Sequence, residues 1–167
     1  MWVTFPTIIG EMVKKTIENS FFGQYSYSID TKGRVNVPAK FRQVLSDEND
    51  RTFIITRGEE RCIRVYPLVV WEEIVEGLSK LSAVSPNNRH FIRKTTRYAS
   101  IVQYDSQGRI MLTKPLIDYA GLDKDVFIIG TLNKFEIWNP DTLDQIDSDD
   151  TNIDAATLHE LAKDIIL

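Results

Sequence analysis

Apolar and polar residues alternate on both sides of a short polar turn, and the chain repeats this arrangement 75 residues later. Ile29, Val35 and Val37 bracket Asp30, Thr31, Lys32, Gly33 and Arg34; Tyr104, Ile110 and Leu112 bracket Asp105, Ser106, Gln107, Gly108 and Arg109 in the same way. A period of two predicts strands entering and leaving each turn, with the turn as a hairpin tip. Each copy then predicts a short helix, at 38–45 and at 114–120. A β-branched run follows, Phe53, Ile54 and Ile55 in one copy and Val126, Phe127, Ile128 and Ile129 in the other. A last strand closes each copy, through Ile63, Val65, Tyr66 and Pro67 and through Phe135, Ile137, Trp138, Asn139 and Pro140. The repeat thus reads strand, turn, strand, helix, strand, strand. One unit of this size buries too little apolar surface to fold well alone, so the two are expected to share a core in an α+β fold.

Between the copies, residues 67–81 predict an amphipathic helix. Val70, Trp71, Ile74, Val75, Leu78 and Leu81 lie on its apolar face, and Glu72, Glu73, Glu76 and Lys80 on the other. Ser85, Pro86 and Asn87 break the chain and lead into a second helix at 88–98, rich in arginine and lysine. A polar linker is expected at 147–151, with Asp154 capping a final helix and the tail loosely held. A mixed stretch at 10–19 suits another short helix. The expected organisation is an extension at 1–20, a first unit at 21–67, connecting helices at 68–99, a second unit at 100–140 and an acidic tail at 141–167.

With 167 residues, 43% of them hydrophobic and 26% charged, the chain has the size and composition of one compact domain. Its single cysteine, Cys62, stands in an apolar strand as a buried small hydrophobe and cannot form an internal disulfide. No window approaches the roughly 18 apolar residues of a membrane span, and no secretory signal is evident at the N-terminus, so a cytoplasmic protein with no membrane partner is expected. The net charge of −4 is unevenly spread: from Asn139 onward eight acids face one base, a balance of −7 that leaves +3 on residues 1–138. Between 80 and 115, Lys80, Arg89, Arg93, Lys94, Arg97, Arg109 and Lys114 are opposed only by Asp105, while Lys32, Arg34, Lys40 and Arg42 surround the first turn. A polyanion senses charge within a Debye length of about 8 Å, so the acidic tail does not forbid nucleic-acid binding.

Catalytic and metal motifs fail on inspection. His159 and Glu160 open like a zinc-protease helix, but position 163 is Lys163 rather than histidine. Asp147, Asp149 and Asp150 open like a calcium loop, but Asn152 and Leu158 occupy the positions that need glycine and glutamate. Glu59 with Glu60 and Glu72 with Glu73 are adjacent pairs that point to different faces, so neither forms an acid and base dyad. No enzyme and no cofactor are expected.

The turns carry the remaining chemistry. Asp30 suits acceptance of backbone N–H groups, and Gly33 suits the positive φ of a tight reversal. Thr31, Lys32 and Arg34 then offer donors to phosphates or to a guanine edge, and a two-stranded ribbon fits the major groove. The alternative is a salt bridge from Arg34 back to Asp30 that only stabilises the turn. The run Phe22, Gly23, Gln24, Tyr25, then Ile29 to Arg42 closely resembles the opening motif of the bacterial MraZ regulators. The likeness continues through Thr56, Arg57, Gly58, Cys62, Tyr66, Pro67 and Trp71, then Asp105, Gln107 to Ile110, Tyr119 to Leu122, and Gly130 to Trp138. The resemblance covers residues 21–146 and leaves the first 20 outside.

That resemblance implies two AbrB-like swapped-hairpin units fused in one chain and assembled into a ring of identical subunits, of octamer type. It further implies a nucleoid-associated transcriptional regulator, usually a repressor, that binds short tandem repeats in double-stranded promoter DNA upstream of the division and cell wall gene cluster. The family's DNA-binding motif falls on Thr31, Lys32, Gly33 and Arg34 and on Ser106, Gln107, Gly108 and Arg109, with Asp30 and Asp105 shaping the turns. Gln107 stands where copy one has lysine, and Thr113 where Pro38 would predict proline, so the first turn is expected to dominate phosphate contact. A ring-forming protein scaffold whose basic turns hold an acidic protein is the alternative from another class.

Overall fold

The computed structural model describes residues 17–149 and 155–163. Copy one supplies β1 (Gln24–Ser28), β2 (Arg34–Asn36), α1 (Ala39–Val44), a 3-10 turn at Asp47–Asn49, β3 (Thr52–Arg57) and β4 (Ile63–Pro67). Two connecting helices follow, α2 (Leu68–Ser79) and α3 (Pro86–Thr96). Copy two repeats the order with β5 (Ser100–Gln103), β6 (Arg109–Met111), α4 (Lys114–Ala120), β7 (Asp125–Gly130) and β8 (Phe135–Trp138), before α5 (Pro140–Asp149) and α6 (Ala155–Lys163).

The pairing is not what local alternation suggests. Neither turn joins two strands that pair with each other; the expected local hairpins are absent. Instead β1 of copy one runs antiparallel to β7 of copy two, with Tyr25 opposite Ile128, and β5 of copy two lies on β3 of copy one, with Phe53 opposite Val102. Each unit lends its first strand to the other. The resulting sheet has the order β1-β7-β8-β4-β3-β5, and β2 pairs with β6 in a separate two-stranded ribbon. The reason lies in burial: Val35 and Ile110, opposite each other in that ribbon, are fully buried, and a unit folded on itself would leave both in water.

The shared core is the space between ribbon and sheet. Phe41 from α1 fills its centre, with its ring 5.1 Å from Phe21, 5.2 Å from Tyr25 and 5.2 Å from Phe135 of the other copy. A second, smaller cluster joins Cys62 and Trp138 to Leu143 of α5. Burial pushes the Cys62 thiol up to about 12, which removes it as a nucleophile at neutral pH.

The connecting helices are less covered. α2 packs on β3, β4 and the 3-10 turn, with Trp71 5.5 Å from Tyr66, yet buries no residue fully. α3 begins two residues earlier than expected because Pro86 occupies its first turn and Ser85 Oγ accepts the Asn88 N–H. Its foot is fixed by Tyr98, whose ring lies 3.5 Å from the Arg57 guanidinium, itself 4.4 Å from Tyr119 of copy two. At the other end, α5 continues through Asp149, so the linker expected at 147–151 is helical for its first three residues. Leu143 and Ile146 hold that helix against Trp138, so its start is anchored rather than loose. Asp154 and residues 10–16 of the expected N-terminal helix lie outside the described residues.

Candidate nucleic-acid interface

The two polar turns are one structure built twice. Asp30 Oδ1 accepts the backbone N–H groups of Lys32 and Arg34, each at 2.9 Å, and its Oδ2 accepts Arg34 Nε at 2.6 Å. Asp105 Oδ1 accepts the N–H groups of Gln107 at 2.9 Å and Arg109 at 3.0 Å, and its Oδ2 accepts Arg109 Nε at 2.9 Å and Nη2 at 2.8 Å. In each, the glycine N–H returns to the aspartate carbonyl, from Gly33 at 3.0 Å and from Gly108 at 2.9 Å. The glycines stand at φ +81° and +78°, where a β-carbon is strained. Asp30 and Asp105 thus each accept two backbone N–H groups of their own turn, and the salt bridge from arginine to aspartate is present in both.

Strand exchange puts the two turns on one ribbon. Leu112 N–H donates to the Gly33 carbonyl and Val37 N–H to the Gly108 carbonyl, each at 2.8 Å, so each turn is tied to the strand of the other copy. Arg109 Nη1 also lies 3.9 Å from Asp30 Oδ2, across the boundary between copies. Thr31, Lys32, Ser106 and Gln107 are exposed at the tips. Gly33 is half-buried and Gly108 buried. The Arg34 and Arg109 side chains keep 28% and 22% of their surface, so neither guanidinium is sealed, although neither projects freely.

One cation near the second turn was legible only as a member of a basic cluster. Arg42 donates Nε to the Val37 carbonyl at 3.2 Å, and its guanidinium covers Gly108 so closely that a β-carbon there would stand 2.6 Å from Cζ. The corresponding neighbour of Gly33 is Ile117, at 3.4 Å. The turn that lacks a lysine thus has an arginine beside it, supplied by the other copy. No sequence signal reports this, because the two residues meet only after the exchange.

The carboxylates are held ionised. The Arg34 backbone N–H is the largest cause that lowers Asp30, and the Arg109 side chain holds Asp105 at about 2 against an ordinary 3.8. A depressed folded value favours the folded turn above the ordinary value, and that preference disappears as pH falls from about 4 towards 2. In a carboxyl-detected NMR titration, Asp105 is expected to titrate near 2, with the Arg109 Nε–H resonance moving in step. Titration near 3.8 would show that the turn does not hold its carboxylate.

A reciprocal strand exchange that brings twin Asp-x-x-Gly-Arg turns onto one ribbon defines a fused pseudo-dimer of swapped-hairpin units. The chain belongs to the MraZ family: the family model described as "MraZ protein, putative antitoxin-like" matches it twice, at residues 20–94 and 96–164. It is 44% identical over 124 residues to the Transcriptional regulator MraZ of Natranaerobius thermophilus, covering 74% of this chain and 84% of that protein. The proteins of the same name from Tolumonas auensis and Thermomicrobium roseum are 41% identical over 129 residues and 37% identical over 121. They are matched over 76% and 72% of this chain and 85% and 82% of their own lengths. The family is one of regulators, not enzymes. Among the described residues no helix is long and apolar enough to cross a membrane.

Proposed function

We propose that this protein is a DNA-binding transcriptional regulator that grips double-stranded promoter DNA through its paired turns. The observation that carries the reading is the joining of both turns on one exposed ribbon, where Lys32, Arg34, Arg42 and Arg109 gather without a neutralising excess of acids. Backbone geometry is already set by Asp30 and Asp105, so donors are presented with little ordering cost. Thr31 and Lys32, with Ser106 and Gln107, contact phosphates. Arg34 and Arg109, steadied by their aspartates, clamp phosphate or a base edge with their remaining donors.

Each ribbon is a small site with a few cations, and weak sites gain roughly 10² to 10⁴ in avidity when linked copies engage together. This favours the family expectation of a ring, of octamer type, placed over short tandem repeats. The regulated genes are the division and cell wall cluster, the effect is repression, and the setting is the cytoplasm, at the nucleoid. The names of the relatives support regulation; the repeats, the cluster and the ring rest on the resemblance and on the arithmetic of multivalency. Footprinting on the protein's own upstream DNA tests the reading: protection of evenly spaced repeats is expected, and uniform or absent protection would defeat it.

Salt dependence separates the roles within the ribbon. Removing one phosphate-bound cation flattens the slope of log K against log salt by about one unit. Lys32→Ala is expected to flatten it so, per engaged subunit, and Arg42→Ala likewise if it supplies the charge missing from Gln107. Gln107→Ala should weaken binding without changing the slope, since it removes no charge. Identical slopes for all three would remove the electrostatic assignment.

A further inference from the structure

Helix α3 carries charge of one sign only: Arg89, Arg93 and Lys94, with no acid. No acid occurs from residue 77 to 104, and His90, Arg93, Lys94 and Arg97 with Tyr98 line one groove of about 230 Å³ along the helix. Among the described residues no carboxylate lies within ion-pair distance of Arg93, Lys94 or Arg97. The helix buries no residue fully, makes no extended packing with another element, and leaves Phe91 55% exposed. Its foot is held by Tyr98 on Arg57.

The complementary surface exists on the same chain but elsewhere. Helix α5 exposes Asp141, Asp144, Asp147 and Asp149 and carries no base, while Leu143 faces the body. Asp141, Asp144 and Asp147 recur at three-residue intervals, a rise of about 4.5 Å, and Arg89, Arg93 and Arg97 at four, about 6 Å. Among the described residues no ion pair joins the two helices within the chain.

We propose that the cationic groove of α3 receives the acidic face of α5 from a second copy of this chain. This rests on the self-association put forward above and names the surfaces that perform it. An isologous contact of α3 with α3 would set like charges together. Set head to tail, the α3–α5 pairing leaves each subunit one cationic and one anionic surface, which can propagate around a closed ring. Phe91 supplies the apolar centre that a purely ionic seam would lack. DNA is the less suitable occupant. Tyr98 meets Arg57 at one end of β3, whereas the Tyr104 N–H bonds the Arg51 carbonyl at the other, beside the second turn. The groove therefore lies at the far end of the strand from the DNA-facing ribbon.

The test uses the full chain and two exposed charge reversals, Arg93→Glu with Lys94→Glu, and Asp144→Lys with Asp147→Lys. Light scattering after size exclusion reads the mass, and circular dichroism the fold. The wild type is expected as a multiple of 19.2 kDa that shrinks as salt is raised, and each reversed variant as a smaller species. A one-to-one mixture of the two variants is expected to regain the wild-type mass, because each acidic α3 then meets a basic α5 and each unaltered surface its unaltered partner. Three results overturn the proposal: reversed variants at full mass, a mixture that stays small, or a wild type that is itself monomeric. Loss of DNA binding by the α3 variant at unchanged mass would also overturn it, in favour of a second DNA surface. A monomer that still footprints its repeats would sink this seam and leave the regulator reading standing.

Discussion

Arg34→Ala is expected to abolish the gel shift on tandem-repeat DNA at protein concentrations where the wild type shifts it fully, with oligomer mass unchanged. Asp30 Oδ1 keeps both backbone N–H partners in that variant, so the turn retains its shape while its arginine is gone. Deleting an arginine that holds DNA costs roughly 1–3 kcal/mol per site, and the effect compounds when several subunits hold the same DNA. Arg34→Lys distinguishes charge from geometry. Lysine restores a cation but not the planar fork that serves Asp30 and a phosphate together, so partial recovery is expected. Undiminished binding by Arg34→Ala would remove the turn from the mechanism and favour a protein scaffold whose basic surface has another use.

Phe41→Ala is expected to give the largest loss of stability among single substitutions in the core, about 3–5 kcal/mol in urea unfolding. Against a typical total of roughly 5–15 kcal/mol, that leaves a marginal fold. The ring is 1% exposed and meets Phe21 and Tyr25 from its own copy and Phe135 from the other, so one truncation opens a cavity at the junction of both units. Phe22→Ala, at a side chain half in water, is expected to change stability by less than about 0.5 kcal/mol. If Phe41→Ala cost no more than that control, the two copies would not depend on a common core. A single cooperative transition is expected in each variant, since neither unit has a separate interior.

Gly33, Gly108, Asp30 and Asp105 could be read as turn makers because their roles are local. A carboxylate two and four residues before the N–H groups it accepts, and a glycine where φ is positive, follow from short-range geometry. The helix at 114–120 and the apolar strands were legible for the same reason, as was the burial of Cys62. The linker at 147–151 misled because aspartate and serine are weak helix formers, and Leu143 and Ile146, which hold α5 in place, pack on Trp138 through tertiary contact. Pro86 concealed the true start of α3 because proline both breaks a helix and opens one.

The sequence by itself determined that the chain is a duplication, that each copy centres on an aspartate and arginine turn, and that basic residues collect away from an acidic end. Alternation and spacing encode these, since both act over a few residues. Only the tertiary structure decided which strands pair. Hydrogen bonding is satisfied equally by a local hairpin or by exchange, and the burial of Val35 against Ile110 selects exchange. That choice places two distant turns on one ribbon, sets Arg42 beside Gly108, and ties both guanidinium groups to carboxylates while leaving each partly open to solvent.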